Sequence, residues 1–87
     1  MQLQLINGHF SPQEAVDILT KMTNVKVSYH EQQISASDAE EDVKYREKRI
    51  KDLQRNLQEA RQAIAQSSQP RVSLKADIIV TINPTPS

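Results

Sequence analysis

Apolar residues recur at helical spacing almost without a break from Ala15 to Ile64. That pattern leaves two arrangements, a single long helix or two helices folded back on each other. The heptad phase through Ala15, Met22, Tyr29, Ala36, Val43, Ile50, Leu57 and Ile64 is continuous, as a parallel coiled coil would require. Gln32, Ala36, Ala39 and Arg46 are poor core residues, however, and they cluster where helix-start signals reappear. Ser37 with Glu40, or Asp38 with Glu41, has capping-box spacing. Asp38, Glu40, Glu41 and Asp42 then crowd a first turn, where acidic groups complement the positive end of the helix dipole. The sequence therefore predicts a hairpin, with one helix over residues 12–35 and a second over 38–66.

The first helix opens on strong chemistry. Ser11 is a good N-cap, Pro12 takes the first helical position and Glu14 is placed to close a capping box, with Phe10 folding back onto the first turn. Its apolar face is wide. One seam runs Ala15, Ile18, Met22, Val25, Tyr29, and a neighbouring one runs Val16, Leu19, Thr23, Val27, His30, Ile34. The second helix is narrower, with Val43, Ile50, Leu53, Leu57, Ala60 and Ile64 at a/d spacing and Arg46 interrupting the series. At 1.5 Å per residue it extends roughly 40 Å. Glu40 with Lys44, Asp42 with Arg46, Glu47 with Lys51 and Arg55 with Glu59 stand at i,i+4, each pair worth a few tenths of a kcal/mol.

Strands flank the hairpin. Gln2-Leu3-Gln4-Leu5 alternates with the period of a half-buried strand over residues 2–6, and Asn7-Gly8 follows as a turn signal with His9 inside it. Val72, Leu74, Ala76, Ile78, Val80 and Ile82 alternate with mostly polar residues, predicting a strand over 72–82, about twice as long as its partner. The residues beyond, 84–87, read as a flexible tail. The expected fold is α+β, mostly α, in the order β-α-α-β, forming a single domain over residues 1–83.

A chain of 87 residues with only 37% apolar content and three aromatics, Phe10, Tyr29 and Tyr45, has little from which to build a core. A shared core relieves that shortage. The expectation is a homodimer in a four-helix arrangement, associating through Ala15, Val16, Ile18, Leu19, Met22, Val25 and Tyr29. The edge of Val72–Ile82 offers a second place for a protein partner.

The candidates for chemistry are few. His30-Glu31 opens a zinc-protease motif whose second histidine is missing, since Gln32-Gln33-Ile34 follows. The acidic cluster from Asp38 to Asp42 lacks the alternation and glycine of a calcium loop. One glycine cannot build a phosphate-binding loop, and the absence of cysteine removes thiolate chemistry. No enzyme activity, metal or cofactor is expected. Lys44, Lys48, Lys51 and Arg55 share one stripe that could touch phosphates, but acidic residues interleave with it and no aromatic accompanies it for base stacking. Eleven basic and eleven acidic residues balance, so net charge favours neither nucleic acid nor an anionic membrane. No stretch approaches the roughly 18 apolar residues of a membrane span, and no basic, apolar leader opens the chain, so a cytoplasmic setting is the default expectation. The function expected is that of a self-associating interaction or assembly module, with nucleic-acid binding through the basic stripe as the alternative.

Overall fold

The computed structural model describes residues 1–84 and shows the order β1 (Gln2–Phe10), α1 (Pro12–Ala36), α2 (Glu40–Gln66) and β2 (Val72–Ile79). The helices form the hairpin, and the strands pair antiparallel as a two-stranded ribbon. The far end of the expected tail, residues 85–87, lies outside the described residues.

The start of α1 follows the sequence closely. Glu14 N donates to Ser11 Oγ at 3.1 Å and Ser11 N donates to Glu14 Oε1 at 2.9 Å, so both halves of the capping box form. These bonds to Ser11 hold the Glu14 carboxyl below its ordinary range. The start of α2 is built differently. Ser37 ends α1, its N–H reaching Ile34 O, and its Oγ accepts from Ala39 N at 3.2 Å. Ala39 is the N-cap and has no side-chain bond to give, so neither expected capping box forms and α2 begins at Glu40 rather than 38. Glu40, Glu41 and Asp42 in the first turn support this end through the dipole instead.

The turn expected at Asn7-Gly8 does not exist. β1 runs through it to Phe10, placing Gly8 opposite Leu74 and His9 opposite Ser73. Gly8 has an ordinary negative φ. The Phe10 ring lies 3.6 Å from where a Gly8 Cβ would stand, covering the gap that a strand glycine leaves. His9 is therefore a strand residue, its Nδ1 2.8 Å from Ser73 Oγ.

The longer β1 matches β2 nearly residue for residue, so the expected overhang of β2 is absent, and β2 ends at Ile79 rather than 82. The register slips by one between Gln4 and Ile6. That bulge solves a conflict in the sequence. Leu3 and Leu5 are odd-numbered, whereas Ile6, Gly8 and Phe10 are even, and a regular strand would put the two sets on opposite faces. The extra residue realigns them, so that Leu3 pairs with Ile78 on the same side as Ile6 with Ala76 and Phe10 with Val72.

The ribbon meets the helices around the start of α1, where Ala15 is 0% exposed. Only a methyl group fits there. Ala15→Leu is expected to destabilise the fold by about 1–3 kcal/mol through overpacking, read as a lowered denaturant midpoint.

Candidate functional site

Each helix presents one seam to the other, and the structure shows which of the two α1 seams is used. Val27 at 7% and His30 at 5% exposure are buried, and Leu19, Thr23 and Ile34 are partly so, which places the seam from Val16 to Ile34 in the hairpin interface. Half-buried Val43, Ile50, Leu53, Leu57, Ala60 and Ile64 line α2 at the expected spacing.

The other seam is left over. Val25 is 72% exposed, Tyr29 is also exposed, and Ile18 and Met22 are only partly covered. Of the seven residues expected in the association face, Ala15 is already buried within the chain, and Val16 and Leu19 belong to the inner seam. Ile18, Met22, Val25 and Tyr29 make up the free face. Leu5 and Phe10 of β1 border an open groove of about 490 Å³ with Ile18 and Met22, so the apolar strip continues from α1 onto β1. Leu3, Ile78 and Val80 are exposed beyond it.

The shape of the chain explains the exposure. Its principal extents are 51 × 30 × 13 Å, so the chain is long and flat rather than compact. A stable domain needs a second layer over its apolar face. The radius of gyration is 16.3 Å, against about 12 Å for a compact chain of this length. The accessible surface is 7063 Å², where a folded monomer of this mass exposes about 5,200 Å². The excess is roughly 1,900 Å². A typical stable interface hides about 800 Å² per partner.

A polar cluster closes the hairpin near its turn. Arg46 Nη1 lies 3.2 Å from His30 Nδ1, and Arg46 Nε donates to Asp42 Oδ2 at 3.2 Å. The guanidinium also stands 5.8 Å from the Tyr29 ring centre, with Lys26 Nζ at 5.2 Å from the same ring. Because arginine only donates, His30 Nδ1 must accept, which assigns the imidazole proton to Nε2. That atom is buried and has no partner among the described residues. Desolvation, with Lys26, Arg46 and Arg49 nearby, lowers the His30 pKa. The Ser37 hydroxyl and Arg46 hold the Asp42 carboxyl below its usual range. Arg46, a defect in the heptad when read as sequence, is thus the partner of the buried histidine. His30 and Arg46 stand equally far in sequence from Asp38, a spacing that sets them level across an antiparallel hairpin.

The basic stripe is partly spent on local pairs. Lys44 Nζ is 3.3 Å from Glu40, and Arg55 pairs with Asp52 instead of Glu59. Lys48 and Lys51 are exposed. Among the described residues, no group of three or more His, Asp or Glu side chains converges to hold a metal, and no helix is long and apolar enough to cross a membrane. No protein-family model matches the chain, and no curated protein or solved structure shows significant similarity to it.

Proposed function

We propose that this protein is a non-enzymatic interaction module that assembles with itself through α1, with a cytoplasmic setting as part of the proposal. One observation carries the reading. The seam Ile18, Met22, Val25, Tyr29 is at most partly covered on a long, flat chain, while Ala15 and Val27 are the only buried apolar residues among the described residues. Hydrophobic burial is the main force available to a small fold, and here much of the apolar surface has nothing to pack on. The surface excess is of the size that a permanent dimer removes. Nucleic-acid binding through Lys44, Lys48, Lys51 and Arg55 draws less support, because two of the four charges are already paired with carboxylates.

Sedimentation velocity between about 1 and 100 μM tests the reading, over a range that brackets micromolar affinity. The expected species has twice the 9.9 kDa chain mass. A single monomeric boundary throughout would sink the proposal.

A further inference from the structure

The ribbon has two outer edges, and the hydrogen-bond phase shows what each offers. Val80 N donates to Met1 O at 2.8 Å, and the Met1 amino group donates back to Val80 O at 3.2 Å. Such mutually bonded pairs alternate with unbonded ones along an antiparallel ladder. The bulge lies in β1, so the alternation runs unbroken along β2. Counting from Val80, the residues Ile79, Asp77, Lys75 and Ser73 fall in unbonded pairs, opposite Gln2, Gln4, Asn7 and His9. Those four β1 residues direct their backbone N–H and C=O groups away from β2. The close approach of His9 to Ser73 fits, since side chains of unbonded pairs lie nearer each other.

The two edges are protected differently. Proteins guard free edges with lysine, proline, other charges and bulges. β2 carries Lys75 and Asp77, with Arg71 just before it. β1 carries no charged side chain and no proline from Gln2 to Phe10, and its guard is the bulge between Gln4 and Ile6 alone. It also lies beside the free face of α1, because Leu5 and Phe10 share a groove with Ile18 and Met22, with Lys21 of α1 as the one charged residue lining it. An edge without charge suits an isologous contact, in which each residue meets a region identical to its own and like charges would repel.

We infer that the free edge of β1 pairs antiparallel with the same edge of a second copy. The two ribbons then form one four-stranded sheet in the order β2-β1-β1-β2, with both α1 free faces brought together beside it. This deepens the self-association reading and rests on it. Pairing satisfies the four outward-directed backbone positions and extends a marginal two-stranded ribbon to a sheet that is stable on its own.

Amide hydrogen exchange on the intact protein is the direct test. In the dimer, the Gln4, Asn7 and His9 amides are expected to exchange at least about tenfold more slowly than in the dilute monomer. Asn7→Pro removes one outward N–H without touching the ladder to β2, and is expected to raise the dimer dissociation constant at least about tenfold with unchanged far-UV circular dichroism. Lys75→Pro makes the same change on the other edge and is expected to leave dissociation unaltered. A dimer whose β1 edge amides exchange freely, or one that Lys75→Pro disrupts and Asn7→Pro does not, overturns the β1 pairing while leaving self-association standing. A monomeric wild type removes both. If Asn7→Pro fails to fold, the exchange rates of the wild type decide alone.

Discussion

Met22→Glu is expected to convert the protein into a folded monomer. Met22 sits mid-way along the free face of α1, between Ile18 and Val25, and borders the groove shared with β1. A carboxylate enclosed in the contact loses hydration that Lys21, in the same groove, and Lys26, one turn on, only partly replace, and even about 3 kcal/mol raises a dissociation constant roughly a hundredfold. A two-fold contact doubles the effect by introducing a charge from each chain. Glutamate is a good helix former, so α1 itself keeps its stability. Gln58→Glu adds the same charge at an exposed position of α2, away from the free face of α1, and is expected to leave association unchanged. Sedimentation equilibrium with circular dichroism reads both results. A Met22→Glu protein as dimeric as the wild type would place the contact elsewhere on the surface.

Acidification is expected to weaken the hairpin in two separable stages. Burial of the His30 ring, and then the charges of Lys26, Arg46 and Arg49, disfavour its protonated form. Its pKa is lowered from the ordinary 6.5, so below that pH the unfolded chain binds a proton that the folded chain resists. The associated stability is therefore fully present above about pH 6.5 and falls as the pH drops toward the folded value. Glu14 and Asp42 are also lowered, from 4.5 and 3.8, and their share is lost only in stronger acid by the same sign rule. Denaturant midpoints across this range should decline first near the histidine step. His30→Phe keeps a planar ring in the slot and cannot titrate, so its midpoint is expected to stay flat between pH 7.5 and 5.5 and still fall below pH 4.5 with the carboxylates. A first decline that survives His30→Phe would assign it to another group.

Much of the backbone was legible because it rests on local chemistry. Ser11, Pro12 and Glu14 announce α1, and its capping box forms atom for atom. The hairpin itself followed from the acidic helix start at Asp38, Glu40, Glu41 and Asp42, together with the poor core residues around Ala36. Features that depend on a distant partner were harder to read. Asn7-Gly8 has the composition of a turn, but pairing with Lys75 and Leu74 holds it extended, and Phe10 covers the glycine. The parity break between Leu5 and Ile6 is visible as a failure of alternation and becomes a bulge only once β2 sets the register. Of the two α1 seams, either could face α2 on pattern alone. His30 and Arg46 decide it in retrospect, as the polar positions that each helix would otherwise leave unpaired in the interface. The outward face was legible as surplus apolar surface from the start, but its continuation onto β1 was hidden by the strand's apparent end at residue 6.

The bond between Met1 and Val80 joins residues 79 positions apart, and it sets an order of events. Local contacts close cheaply, whereas bringing such distant segments together carries the largest loop entropy in the chain. The hairpin turns on a short link between α1 and α2 and can form first. The ribbon is therefore expected to close after the hairpin has brought its ends together, which pulsed hydrogen exchange would read as later protection of β1 and β2 amides than of helix amides. During that interval each β1 is free to meet either its own β2 or a strand of a neighbour. Self-pairing then draws on the outward groups of Gln2, Gln4, Asn7 and His9, which the ladder to β2 leaves free, so assembly can follow the closing of the ribbon without displacing it.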